Sequence, residues 1–334
     1  GIRDFCLSRG LGDVYKRQGR GRGWGDTVRW VQDALGPGER IVAVTPLKGG
    51  WTSRMRRLDV ERPGGAPYAL VLRSFVKPFY RRHAPALLAR EAGVLRLLED
   101  GGVPAARLRA VDGHGERCDH PSLVMTRLPG RVRVAEDGDV ARRADLLAAQ
   151  LAAVHAVEVA DGERPRAWQA WTGPERVRVP AATARPGLWA RAVEEIRREA
   201  PAHRPCFLHR DFHPGNVLFT GTGTALAVSG VVDWVETSWG PADLDVAHCS
   251  TALALLHGPD AGLAFADRYR AAAGADLADD RDHLYWRLLD ALAFAPDAHK
   301  VAGPWRDLGR TDLTPAVLTA RLEDYLQALL DRHA

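Results

Sequence analysis

Asp211, Asn216 and Asp233 are the residues of this 334-residue chain whose types and spacing could do chemistry. The first two lie in the stretch Cys206-Phe207-Leu208-His209-Arg210-Asp211-Phe212-His213-Pro214-Gly215-Asn216-Val217-Leu218-Phe219, and the third in Val231-Val232-Asp233-Trp234. The apolar runs Phe207-Leu208 and Val217-Leu218-Phe219 predict short buried strands that pin a rigid, aimed polar loop between them. After a Gly/Thr turn at 221–224, a further apolar strand over 225–232 delivers Asp233. Carboxylate and carboxamide oxygens, as at Asp233 and Asn216, are hard ligands suited to magnesium shared with substrate phosphates, which leaves Asp211 for a substrate.

Two other readings fit part of this pattern. His209, Asp211 and His213 alternate along an extended segment, share one face and are residue types that bind zinc, as in a metal hydrolase. That reading has no use for Pro214-Gly215-Asn216. The other is a purely structural polar loop. The combined spacing of His209, Asp211, Asn216, Asp233 and Asp245 says more than any of them singly.

The first stretch resembles the catalytic loop His-Arg-Asp-x-x-x-x-Asn of the protein kinases, with Asp233 at the place of the metal-binding Asp of their Asp-Phe-Gly. The His-Pro-Gly inside the loop, and Asp233-Trp234 followed by Gly240 and by Asp243 and Asp245, are more similar to the aminoglycoside phosphotransferase and choline kinase superfamily. The resemblance implies an α+β, two-lobed protein-kinase-like fold: a small antiparallel-sheet lobe with one main helix, and a larger, mainly helical lobe. It implies ATP and Mg2+ as cofactors and transfer of the γ-phosphate to a hydroxyl of a small molecule. Asp211 would orient that hydroxyl and take its proton late, while Asn216 and Asp233 would hold magnesium. His209 would brace the loop through a backbone hydrogen bond, Arg210 would carry loop or phosphate contacts, and Asp245 would accept backbone N–H groups of the loop. His213 stays open between loop packing and the substrate cleft.

The elements that must position these residues are legible from periodicity. Residues 1–25 are Gly/Arg-rich and aperiodic, and are expected to be a disordered tail whose first 18 residues resemble translated adaptor sequence rather than evolved protein. Asp26 is expected to cap a helix with Val28, Val31, Ala34 and Leu35 on one face. Strands over 41–47, 51–60 and 68–73 then form an antiparallel meander. Its first connection carries Gly49, Gly50, Thr52 and Ser53, where kinase-like proteins cover nucleotide phosphates with backbone N–H groups and hydroxyls, although a hairpin turn also explains paired glycines.

Arg73 ends the apolar run Ala69-Leu70-Val71-Leu72, at the place where kinases carry the Lys that grips the α/β phosphates; a guanidinium can make that grip bidentate. A helix over 83–100 supplies Glu91 to pair with Arg73, the alternative being a solvated charge on an amphipathic helix. Strands over 107–111 and 122–126 close the small lobe, set at residues 26–127, and 127–130 form the hinge, after which 128–334 make the catalytic and substrate lobe. By resemblance, Met125, Arg127 and Leu128 line the adenine pocket through backbone contacts. Helices are expected over 140–155, 187–200, 261–273, 281–294 and 314–330, with a further one starting near 240–247.

Composition excludes several function classes. Hydrophobic content of 46% and charged content of 26% are those of an ordinary globular protein. A net charge of +4 and a pI near 9.0, with Arg scattered rather than clustered, give no nucleic-acid footprint. Cys6, Cys118, Cys206 and Cys249 have no paired spacing and are expected to be thiols of a reducing compartment. With no apolar run of membrane length and no leader, the expected location is cytoplasmic and the partner a small-molecule hydroxyl acceptor, with no nucleic acid and no membrane. A nucleotide-binding regulatory pseudokinase is the alternative, opposed by intact Asp211, Asn216 and Asp233, and a protein kinase comes third because Ala-Pro-Glu is missing. Glu236, Asp243 and Asp260 could rim a pocket for a cationic acceptor or serve as solvated helix caps.

Overall fold

The computed structural model describes residues 24–47, 52–274 and 277–333. The adaptor-like stretch, Cys6, Gly49 and Gly50 lie outside the described residues. The chain divides between Pro129 and Gly130 into two compact units, and Val232–Val235 belongs with the first.

That first, smaller unit opens with helix α1 (Gly25–Asp33), followed by β1 (Arg40–Pro46), β2 (Arg54–Glu61), β3 (Tyr68–Ser74), α2 (Pro78–Leu97), β4 (Leu108–Asp112) and β5 (Ser122–Thr126). The strands make one antiparallel five-stranded sheet in the order β1-β2-β3-β5-β4. Leu58 and Val60 of β2, Leu70 and Leu72 of β3 and Val124 of β5 form its core with Trp30 and Val31 of α1. Strand alternation sends Arg73, one residue on from Leu72, to the opposite face.

Two expectations change here. The buried face of α1 is Thr27, Trp30 and Val31 rather than Val28, Ala34 and Leu35, and Asp26 bonds Arg29 at 2.8 Å instead of capping the helix. The reason lies in Asp119, whose Oδ2 accepts from the Thr27 N–H at 3.1 Å and from its hydroxyl at 2.7 Å. This long-range acceptor satisfies a first-turn donor and turns Thr27 inward. Helix α2 begins at Pro78, five residues before the expected start, because proline's fixed φ and missing N–H suit a first turn.

The second unit carries β6 (Arg131–Val132), α3 (Val140–His155), α4 (Pro186–Glu195), β7 (Pro205–Leu208), β8 (Val217–Thr220), β9 (Ala227–Val231) and β10 (Ser238–Pro241). Helices α5 (Ala242–His257), α6 (Pro259–Ala273), α7 (Asp280–Ala291), α8 (Ala302–Asp307) and α9 (Pro315–Arg332) complete it. Strands β6, β8 and β9 form one small antiparallel sheet, and β7 and β10 another. Strand β10 has no signal in its Ser-Trp-Gly-Pro sequence and exists because Ser238 to Pro241 pair with Leu208 to Pro205.

Helix α5 is buried from Asp243 to Leu256, the behaviour of a helix with no polar face. It packs against α3, α6, α7 and α9, and Trp189, Trp286, Tyr325 and Leu326 are among the side chains of that core. Gly130, which opens this unit, has φ +89°, and a Cβ there would meet the Phe219 carbonyl oxygen at 2.7 Å, so only glycine fits. Cys118, Cys206 and Cys249 are free thiols. Among the described residues, no helix is long and apolar enough to cross a membrane.

Candidate active site

Strands β7 and β8 end on either side of the 209–216 loop, so the loop's two ends are fixed by sheet pairing. Its first two residues are further fixed by one buried carboxylate on α5. Asp245 accepts the His209 N–H on Oδ2 and the Arg210 N–H on Oδ1, each at 2.7 Å. Arg210 sits at φ +70°, a left-handed conformation costly for a side chain of this size, and the two bonds from Asp245 hold the backbone there. Burial would raise the Asp245 carboxyl, but the hydrogen bond from His155 and the nearby positive groups carry it below the usual carboxylate range. His155, at the end of α3, reaches Asp245 through Nε2 at 3.3 Å and the Tyr269 hydroxyl through Nδ1 at 2.8 Å.

The loop also closes on itself. His209 Nδ1 accepts the Asp211 N–H at 3.2 Å, and His213 Nδ1 accepts the Gly215 N–H at 3.0 Å. The Asn216 side-chain amide donates to the Asp211 carbonyl at 2.8 Å and to its Oδ2 at 3.0 Å. With its nitrogen spent, Asn216 presents Oδ1 as its remaining polar atom, the hard oxygen that a magnesium ion takes. Arg210 is buried; it donates to the Gln169 carbonyl at 3.1 Å and lies 4.2 Å above the Trp171 ring.

Asp211 Oδ1 faces His248 Nε2 at 3.1 Å, a contact on a helix that the loop sequence does not announce. Burial alone would raise the Asp211 carboxyl, but the hydrogen bond from His248 holds it well below the usual range. Ligand atoms of Asp211, His213 and His248 lie within 4.8 Å of one another. His213, however, accepts the Gly215 N–H on Nδ1, which leaves its proton on Nε2, the atom 3.9 Å from Asp211. His209 is fully buried, with Nδ1 turned to the loop backbone. The alternative zinc arrangement of His209, Asp211 and His213 thus lacks a common ligand face.

In the smaller unit, Arg73 brings two acids together. Its Nη1 stands 2.9 Å from Asp233 Oδ1 and 3.2 Å from Glu91 Oε2. Glu91 also accepts the backbone N–H of Trp234, and Arg90 donates to the Val235 carbonyl. Helix α2 therefore grips the 233–235 backbone while β3 grips the Asp233 side chain. Glu91 is buried, which removes the solvated-charge alternative, and burial pushes its carboxyl up to about 7 against the pull of Arg73. Burial would weaken the Arg73 charge, yet Asp233 and Glu91 more than reverse that, so the guanidinium stays protonated. Its Nε is a buried donor with no partner among the described residues, the kind of atom a phosphate oxygen satisfies.

The other expected nucleotide residues are placed with mixed results. Ser53 is buried, its hydroxyl 3.6 Å from the Met55 sulfur, and Thr52 is half-buried. Met125 is buried within β5. The Arg127 N–H donates to the Ala69 carbonyl at 3.2 Å, so sheet pairing spends a backbone donor expected to face adenine. Leu128 is exposed. The acidic rim is corrected outright for two of its members. Glu236 is buried against Arg166 at 2.6 Å, and Asp243 is buried against His283 at 2.7 Å, because each meets a long-range cation or donor on folding. Asp260 lies exposed in the first turn of α6.

Sequence reading missed His248 and, beyond it, Asp290, whose Oδ1 lies 3.0 Å from His248 Nδ1. A signal for the first existed, since His248 follows Asp245 by one helical turn and so shares its face. Asp290 is on another helix and had none.

Solved aminoglycoside phosphotransferases share this fold. A thermostable mutant of aminoglycoside phosphotransferase APH(4)-Ia, in a ternary complex with ADP and hygromycin B, is 16% identical, with 92% of this chain and 99% of that one covered at a TM-score of 0.57. Spectinomycin phosphotransferase APH(9)-Ia, in complex with ADP and spectinomycin, is 12% identical over 88% of this chain and 94% of that one, at 0.55. Aminoglycoside-3'-phosphotransferase of type VIII is 22% identical over 80% and 98%, at 0.52. No curated protein is significantly similar to the sequence. The phosphotransferase enzyme family matches residues 43–286, which span Arg73, Glu91, the 209–216 loop and Asp245. The chain belongs to the phosphotransferase enzyme family.

Proposed function

We propose that the protein transfers the γ-phosphate of ATP to a hydroxyl of a small molecule, with Asp211 as the residue that meets the acceptor. The observation that carries this reading is the partly exposed Asp211 carboxylate, whose Oδ2 and backbone carbonyl are held by Asn216 of the loop and whose Oδ1 is held by His248 of α5. A carboxylate held below its usual range is a weak base. It suits a reaction in which the acceptor is first oriented by hydrogen bonding and its proton leaves late, as phosphoryl transfer requires.

Asn216 Oδ1 and the Asp233 carboxylate are the proposed magnesium donors; the ion, when bound, neutralises phosphate charge. Arg73 keeps Asp233 in place and offers its unpartnered Nε to a phosphate oxygen. His209, Arg210 and Asp245 act on the loop backbone rather than on the reacting atoms. ADP in two of the similar structures supports a nucleotide here by analogy of fold. With Glu236 and Asp243 spent internally, the structure offers no support for a cationic acceptor from those two residues.

The test is ADP release from Mg·ATP over a panel of hydroxyl compounds. A compound that stimulates release in the wild type but not in Asp211→Asn, with nucleotide binding by titration calorimetry retained in both, is the expected result. Retained turnover in Asp211→Asn would remove Asp211 from the acceptor role, and nucleotide binding with no stimulation by any acceptor class would favour a regulatory pseudokinase instead.

A further inference from the structure

His248 stands between two carboxylates. Its Nε2 is 3.1 Å from Asp211 Oδ1 and its Nδ1 is 3.0 Å from Asp290 Oδ1. A neutral imidazole has one N–H and one lone pair, so a neutral ring would aim a lone pair at one carboxylate oxygen at hydrogen-bond distance. The imidazolium donates to both. Asp290 adds a second reason, because its side chain is 2% exposed and its Oδ2 has no partner among the described residues. A buried carboxylate in that state needs a cation beside it.

The ring has little freedom. Phe294 stacks on it at a centroid distance of 5.9 Å, the Trp171 ring meets it edge-on at 4.7 Å, and His213 lies 5.7 Å away. The titratable groups that face it are Asp211 and His213 from the loop and Asp290 from α7.

We infer that His248, backed by Asp290, is a positioning residue for Asp211: it fixes Oδ1 while Asn216 fixes Oδ2, so the carboxylate has one orientation toward the acceptor. This rests on the reading of Asp211 as the acceptor-binding group. It makes that orientation depend on the packing of α5 against α7, two elements outside the loop. The role differs from that of Asp245, which acts on the loop's backbone and leaves the Asp211 side chain free to rotate.

The acceptor is unidentified, so the probe is Mg·ATP with water as acceptor, read as ADP release. The Gln amide nitrogen reaches the place of His Nε2 and can still hold Asp211. That of Asn reaches only the place of Nδ1. His248→Gln should lose about 3-fold in kcat and His248→Asn about 30- to 100-fold, with KM for Mg·ATP unchanged in both. Asp290→Asn should fall between them. Equal kcat losses in the Gln and Asn variants, or losses confined to KM, would overturn the inference, since a merely structural histidine would not distinguish reach.

Asp211→Asn is measured alongside. If it releases ADP as fast as wild type, the reading of Asp211 itself falls. If it is inactive while His248→Asn keeps full kcat, only the positioning role falls. A second measurement needs no turnover: in protein labelled with 15N-histidine, the His248 ring, assigned by its loss in His248→Gln, should carry protons on both nitrogens at pH 7 and lose one in Asp211→Asn. A single protonated nitrogen in the wild type would overturn the inference.

Discussion

Asp211 and Asp233 both follow short strands whose last two residues are buried, and each has one oxygen held by a cation, but the cations differ in kind. Asp233 is held by the guanidinium of Arg73 at 2.9 Å, and Asp211 by the imidazole of His248 at 3.1 Å. A guanidinium keeps its charge at every physiological pH, whereas an imidazole can lose it. The backbones differ as well: Asp233 itself takes φ +70°, while at the other site the left-handed residue is Arg210, one position earlier, so Asp211 is aimed by its neighbour. The geometry of the proposed metal donor thus rests on a permanent charge, and that of the proposed acceptor-binding carboxylate on a titratable one.

The largest effect should come from breaking the permanent site. Asp233→Ala should abolish magnesium-dependent nucleotide binding and lower turnover by about 10^3-fold or more, whereas Asp211→Asn should keep binding and lose turnover. Titration calorimetry on the two folded variants checks this, and equal loss of binding would refute the division of labour. Next in size is Asp245→Ala, which strands two buried backbone N–H groups at His209 and Arg210. At about 1–3 kcal/mol for each orphaned donor, unfolding in urea should show a loss of about 3–5 kcal/mol. A change below about 1 kcal/mol would mean that the loop holds its own shape.

The titratable site should show itself in alkali. Burial lowers the His248 value, but Asp290 and Asp211 together raise it from 6.5 to about 9. The folded state then binds more protons than the unfolded state, so this contribution is complete below pH 6.5 and fades as pH rises through about 9. The expected loss is on the order of 3 kcal/mol across that interval, absent in His248→Gln, as measured by urea midpoints against pH. The smallest effect is at Arg73: Arg73→Lys keeps the charge but loses the planar grip, costing about 1 kcal/mol of transition-state stabilisation, against about 2–4 for Arg73→Ala. Losses from Arg73→Ala and Glu91→Ala should be less than additive in steady-state kinetics, because both hold the 233–235 segment; strict additivity would separate them.

The features legible in the sequence share a physical cause. The 209–216 loop, its flanking strands and helix α3 at Val140–His155 are set by contacts a few residues apart, where apolar period and turn chemistry decide. Glu91 was legible because helical spacing put an acid on a face lined by Leu87, Leu88 and Leu95, and in the structure that face is buried. The misread features were settled by distant partners. Asp119 rotates α1 from 92 residues away, and Arg166 removes Glu236 from the surface across 70. The expected start of α2 at residue 83 failed for a local reason, since Pro78 suits a helix's first turn.

The sequence alone determined the backbone of the 209–216 loop and which residue types stand in it, because strand pairing and turn preference act over short spans. The tertiary structure alone decided what holds the Asp211 side chain: His248 lies 37 residues along the chain and Asp290 a further 42, on helices brought together by core packing. Hydrophobic burial is non-directional, so an apolar pattern announces that α5 and α7 will pack but not which polar pair their contact will bring to the loop.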